Sequence, residues 1–300
     1  IVAAGCLILM VELGSQHCYG VFFTELCTDL NLPRATVSGA YSLCCLWRGI
    51  SRFVGGSLND RYGPRLTLTI SAVIIGIGYV LMSVIETPWQ LYIFYGVMLG
   101  TGFGLGYSPV ISTVCRWFVK SRGIAVGLTV AGIGIGTLAL APLAQFLITK
   151  FDWRTSYLVL AGLVVIVVLP VSRLMRLDPA EKGLLPYGVE EITTESEQCG
   201  SSLSSEVSFS LKQVIKTSQF WLLFVMYAFH PFAIHTITVH LKAYAVDLGI
   251  AEMTAATALG LVGGASIGGR IAMGGLSDKI GRRTSFFISY LLMAVMMLWL

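Results

Sequence analysis

The sequence predicts an all-α membrane protein built from two related helical halves. Three observations carry that expectation. Of 300 residues, 55% are hydrophobic and only 12% charged. The apolar residues gather in runs close to the roughly 20 needed to cross a bilayer. One ten-residue pattern occurs twice, at equivalent places. An average soluble domain carries roughly 25% charge, and the mean hydropathy here is +0.79. One water-soluble core of this size would not hide so much apolar surface, whereas a bilayer supplies apolar solvent.

The apolar runs cover about 1–25, 37–59, 66–85, 89–113, 123–148, 155–175, 218–245, 253–276 and 284–300. Unsatisfied backbone is costly in hydrocarbon, so each run must be helical. That makes eight complete spans and the start of a ninth. The first run carries Glu12 and has no basic leader, which argues against a cleaved signal peptide. The glycines of Gly100–Gly106 and Gly132–Gly136 would weaken soluble helices, but in a membrane they read as seams for close helix packing. Pro231, beside His230, predicts a kink in the seventh run. The chain opens on Ile1 rather than Met and stops at Leu300 inside an apolar run. Both ends are therefore expected to be cut, with the last helices lying beyond it.

Between the sixth and seventh runs the composition turns polar, with Pro179, Pro186, a glutamate-rich patch and the run Ser201–Ser205. This divides the chain into an N-terminal six-helix half (1–176), a largely flexible cytoplasmic linker (177–214) and a partial C-terminal half (215–300). Lys and Arg fall in alternate loops. Arg61, Arg65, Arg116, Lys120, Arg122, Arg173, Arg176, Lys182, Lys212, Lys216, Lys279, Arg282 and Arg283 lie on one side, against Arg34, Lys150, Arg154 and Lys242 on the other. The positive-inside rule puts the richer set in the cytoplasm, so the first span runs outward. The net charge of +4 is explained by this distribution and does not suggest nucleic acid. The seven cysteines show no metal-ligand spacing and read as buried thiols. No P-loop and no catalytic triad are present, so neither direct ATP drive nor enzyme chemistry is expected, and no cofactor is implied.

The repeat is the most specific signal. Gly56-Ser57-Leu58-Asn59-Asp60-Arg61-Tyr62-Gly63-Pro64-Arg65 ends the second span, and Gly274-Gly275-Leu276-Ser277-Asp278-Lys279-Ile280-Gly281-Arg282-Arg283 ends the eighth, at a constant offset of 218. Arg52 and Arg270 keep the same offset. Duplicated helical units are a transporter architecture. The pattern G-x-L-x-D-R/K-x-G-x-R resembles the signature loop of the major facilitator superfamily. That resemblance implies two six-helix halves, the second incomplete here after the start of span nine. It also implies that Asp60, Arg61, Arg65, Asp278, Lys279, Arg282 and Arg283 form a charge network remade as the halves rock. Tyr107-Ser108-Pro109, Arg116-Trp117-Phe118 and Arg122-Gly123-Ile124-Ala125-Val126-Gly127-Leu128 narrow the resemblance to monocarboxylate and oxalate/formate transporters. Asp152-Trp153-Arg154, His240 with Tyr244, Asp247-Leu248-Gly249-Ile250 and Gly269-Arg270 extend it over nearly the whole chain.

An ionisable group at mid-membrane costs about 2.5–3.5 kcal/mol on insertion scales, so each one is a functional candidate. Arg270 lies about two turns inside the end of the eighth span, among Gly263, Gly264, Gly268 and Gly269. A guanidinium can grip a carboxylate with two hydrogen bonds. The resemblance makes Arg270 the ligand of a substrate anion; an arginine snorkelling to the interface is the plainer alternative. Some monocarboxylate carriers have an Asp one turn before this Arg, where this chain has Ser266, a hydroxyl in place of a proton carrier. The resemblance adds His240 and Tyr107 to the site, while His230 and His235 match nothing in it. His17 stands where some relatives carry a lysine. Glu12 and Arg48 are expected at matched depth on antiparallel spans, as a buried ion pair with Arg52 nearer the cytoplasm. Alternatively, Arg48 or Arg52 is a second anion ligand.

The expectation is thus a multi-pass protein of the plasma (inner) membrane. It would move a small organic anion, a monocarboxylate of the lactate or pyruvate type, by proton symport or anion exchange. The alternatives are an oxalate/formate-type dicarboxylate exchanger, a drug or metabolite exporter, and a transporter-like membrane sensor. The expected partners are the anion, protons and the bilayer.

Overall fold

In the computed structural model, residues 1–183, 185–188 and 211–299 are described. Every span expected from an apolar run is helical over those residues. Span one comprises Val2–His17 and Tyr19–Asp29, interrupted at Cys18, whose amide bonds the Ser15 carbonyl in a tightened turn. Spans two and three form one length, Arg34–Met82, broken where Gly63 adopts φ +81°. Span four begins at Pro88, widens into a π-helical stretch over Tyr92–Leu99 and continues as Gly100–Trp117. Its start is a capping box. The Gln90 side chain accepts from the Thr87 amide, and Pro88 needs no donor in the first turn. Span five is Arg122–Lys150, six Trp153–Ser172, seven Ser218–Asp247, eight Glu252–Ile280 and nine Arg282–Trp299.

Among the described residues six helical stretches are long and apolar enough to cross a membrane, and Arg34–Met82 holds two spans in one. Of His230 and Pro231 only the helical backbone is described.

The repeat is visible in the backbone. Gly63 and Gly281 stand 218 residues apart and adopt nearly the same conformation, φ +81° ψ 168° and φ +87° ψ 152°. That region is essentially reserved for glycine. It lets each signature loop turn sharply into the following span.

Close packing of small residues sets the helix contacts. A Cβ on Gly132 would overlap the Cys6 carbonyl, and one on Gly136 the Met10 carbonyl, so span one lies directly on span five. Span eight lies on the other face of span five: Gly123 meets Gly274, Gly127 meets the Arg270 carbonyl, and Gly134 meets Gly263. Backbones approach this closely only without side chains between them. Span five therefore joins the N-terminal helices to span eight along most of its length.

The described part of the segment after span six is folded against the loop between spans four and five. Pro179–Lys182 forms a 3-10 turn. Tyr187 pairs through its backbone with Trp117 and Val119, and the Trp117 indole donates to the Arg176 carbonyl. Residues 175–183 and 185–188 thus lie across the loop between spans four and five, and residues 184 and 189–210 of the linker fall outside the described part.

Candidate functional site

Polar groups of the apolar spans gather where spans one, two and seven meet. Span one contributes Gln16 and His17, beside its break at Cys18. Arg48 of span two donates to Gln16 Oε1 at 2.6 Å, and its other terminal nitrogen lies 3.2 Å from Nε2 of His235 on span seven. A guanidinium only donates, so His235 Nε2 must accept. The ring proton then sits on Nδ1, which faces the Tyr41 oxygen at 2.9 Å. Tyr41 accepts there, and its own proton points elsewhere.

The same count fixes His17. The Thr137 hydroxyl donates to the Ile133 carbonyl at 2.9 Å, so across 3.3 Å it receives a proton from His17 Nδ1. The His17 and His235 rings are 6.2 Å apart, edge to face. Arg48 and Arg270 both lie within electrostatic reach of His17. Arg270, half-buried on span eight, donates to the Val130 carbonyl of span five at 2.7 Å. One guanidinium, two imidazoles, a phenol and an amide therefore gather here, with the Arg270 guanidinium in electrostatic reach of His17. Such an arrangement suits an anion.

The residues expected from sequence are placed unevenly. Tyr107 lies within electrostatic reach of Arg270, and its ring lies beneath the Arg52 guanidinium, 4.4 Å from the centroid. Ser266 donates to the Gly263 carbonyl of its own helix at 2.6 Å, on the face toward Gly134. His240 is exposed, with its ring 5.4 Å from Phe23. Five residues beyond His235, it points about 140° around the helix, away from the cluster. On span seven it is His235, not His240, that contacts Arg48. A lone histidine among three on an apolar helix carries no spacing signal, and only the partners across the bundle reveal it.

The expected Glu12–Arg48 pair is not formed. Arg48 meets Gln16, one helical turn (about 6 Å) further along span one. Glu12 is fully buried and turns toward spans three and four, 3.0 Å from the Ser71 hydroxyl. Matched depth on two antiparallel helices was off by one turn, enough to exchange a carboxylate for an amide.

At the signature-loop end, Asp60 pairs with Arg116 at 3.3 Å, and Arg116 with Asp178 at the same distance. Arg65 donates to the Met175 carbonyl, and Arg61 covers the Tyr62 ring. Arg52, Asp60 and Arg61 line a shallow open hollow there. Asp278 accepts from the backbone amides of Gly123 and Ile124 at 2.9 and 3.0 Å, capping the start of span five. Lys279 and Arg283 are exposed, and the Arg282 side chain is outside the described residues. At the opposite end Arg34 and Asp247 form a two-pronged pair at 2.6 and 2.9 Å. Nearby, the fully buried Lys242 donates to the Val21 carbonyl at 2.9 Å and lies 3.8 Å from Glu252.

The sequence matches the family model of the Major Facilitator Superfamily over residues 5–300. It is 26% identical to monocarboxylate transporter 12 of Mus musculus, over 97% of this chain and 63% of that one. It is 28% identical to monocarboxylate transporter 13 of Bos taurus, over 89% and 58%. The MFS-type transporter YhjX of Escherichia coli is 24% identical, over 93% and 66%. The chain spans about three fifths of the length of the monocarboxylate transporters it matches. Among solved structures, the proton:xylose symporter XylE superposes with a TM-score of 0.63 at 17% identity, over 94% of this chain and 69% of that one. A bacterial homologue of the human drug peptide transporters PepT1 and PepT2 gives 0.59 at 16%, over 82% and 61%. These likenesses establish the fold. With its signature loop duplicated and six described helical stretches apolar enough to cross a membrane, the chain is a multi-pass integral membrane protein, not an enzyme, and it belongs to the major facilitator superfamily of transporters.

Proposed function

We propose that the protein containing this chain carries a small organic monocarboxylate, of the lactate or pyruvate type, by alternating access between two halves, 1–176 and 215–300, joined by the linker 177–214. The observation that carries this reading is the contact of Arg48 and His235 between spans two and seven, with Arg270 close by. The guanidinium of Arg270 is held by a backbone carbonyl, a neutral partner that a carboxylate would outcompete, because charge-assisted hydrogen bonds are about twice as strong as neutral ones. Arg48 holds only the neutral groups Gln16 and His235, so it too is available to an anion. Tyr41, Tyr107 and His17 supply further polar contacts. The names of relatives such as monocarboxylate transporters 12 and 13 support the same substrate class.

A second reading follows from the number of cations. Two guanidiniums suit a doubly charged anion, such as a dicarboxylate, moved by exchange. The test is uptake of labelled lactate, pyruvate, formate and oxalate by the full-length protein in liposomes, beside Arg270→Lys and Arg48→Lys. Uptake of a monocarboxylate that either substitution weakens at least tenfold supports the first reading. Preference for oxalate, with exchange only, supports the second. No carboxylate uptake by folded protein would remove both.

A further inference from the structure

Glu12 plays no part in the anion cluster, yet among the described residues it is the one acidic side chain that is fully buried. Its surroundings hold no cation among the described residues. On span two, Arg48 is taken by Gln16 and His235, and the Arg52 guanidinium lies over the Tyr107 ring of span four. Span three presents Ser71 and Tyr79, and its one charged residue, Arg65, sits at the signature-loop end on the Met175 carbonyl. Span four presents Gly102 and Gly106, and its lone Arg116 bonds Asp60. Spans five and six carry their charges at their ends, in Arg122, Lys150 and Arg154. On spans seven and eight, Lys242 is bound to Val21 and Arg270 to Val130. His17, on span one itself, donates to Thr137.

The protons around Glu12 can be counted. The Ser71 hydroxyl lies 3.0 Å from Glu12 Oε1 and 2.8 Å from the Gly102 carbonyl oxygen. The hydroxyl has one proton for the two, and the carbonyl oxygen, at the shorter distance, can only accept. If Ser71 donates to Gly102, the proton between Ser71 and Glu12 must belong to Glu12. The second carboxyl oxygen, Oε2, is buried with no hydrogen-bond partner, tolerable for a neutral acid and costly for an anion. Gly106 completes the fit, because a Cβ there would overlap the carboxyl group.

We infer that Glu12 is a proton-binding site, occupied in this conformation, and that its proton is the one coupled to anion movement. The coupling half rests on the transport reading above; the proton site does not. Relaying through Gln16, one turn along the same face, ties the two sites together. Gln16 shares Arg48 with the anion cluster, so anion binding at Arg48 alters the same stretch of span one that holds Glu12. The proton is bound and released without any covalent change.

The experiment has two arms, on full-length protein. Infrared difference spectroscopy near neutral pH should show a protonated-carboxyl stretch that disappears in Glu12→Gln and shifts in Ser71→Ala, where the carboxyl loses its partner. In liposomes, a gradient of about one pH unit drives about tenfold accumulation through one-proton symport. Glu12→Gln, which imitates the protonated form, should abolish that accumulation while anion counterflow continues. Absence of the carboxyl band in wild-type protein overturns the proton site. A band with undiminished accumulation in Glu12→Gln makes the proton a static one and overturns the coupling. If wild-type protein moves no carboxylate, the transport reading fails, and the infrared arm alone still decides whether Glu12 carries a proton.

Discussion

Arg48 and His235 meet at 3.2 Å, and through them span two is joined to span seven. The contact requires a neutral His235 that accepts at Nε2. A charged ring would turn one donor toward another. Arg48→Lys keeps the charge but loses the fork that reaches Gln16 and His235 together. Losing a hydrogen bond to a charged group costs about 1.5–3 kcal/mol, or about ten- to a hundredfold in affinity. Substrate KM should rise by that factor in Arg48→Lys, measured by concentration-dependent uptake, and less in His235→Gln, whose amide oxygen can still accept.

Gly63 and Gly281 allow an independent test of the repeat. Nothing lies within 4 Å of a Cβ at either position, so substitution meets no clash and only the backbone conformation resists it. Gly63→Ala and Gly281→Ala should each destabilise the protein by about 1–3 kcal/mol, read as a lower melting temperature in detergent. Gly162, with equal space and ordinary helical conformation, is the control and should show no loss in Gly162→Ala.

Asp278 caps span five through two amides. Asp278→Ala should cost about 0.5–2 kcal/mol as a lost helix cap, and Asp278→Asn less, since one carbonyl oxygen remains. The readout is labelling of a cysteine at position 277 from the signature-loop side, which should rise in the order wild type, Asn, Ala.

Lys242 is buried beside Glu252. Removing the acid strands a buried cation, whereas replacing the cation by an apolar chain of similar length does not. Glu252→Ala should therefore lower the melting temperature more than Lys242→Met.

Much of the fold was legible in the sequence. Apolar runs located the spans because hydrocarbon leaves the backbone no alternative to a helix. The repeat was visible as a pattern at a constant offset, and Gly63 and Gly281 within it share one conformation. The site was less legible. Arg270 stands out in the sequence because a cation in an apolar span is conspicuous alone. His235 does not, because its significance depends on Arg48 and Tyr41, 187 and 194 residues away. Glu12 was assigned to Arg48 on depth alone, when the axial offset of one turn and the rotational position on the helix decide the partner. Sequence yields depth readily and azimuth poorly.

The capping of span five by Asp278 limits how the helices move. Both carboxylate oxygens are spent on adjacent amides, and the glycine contacts extend from Gly123–Gly274 to Gly134–Gly263. A slide of one residue, about 1.5 Å, would pull both oxygens off and drive carbonyls into Cα atoms along the whole seam. Spans five and eight are thus latched at one end: sliding along the seam is blocked.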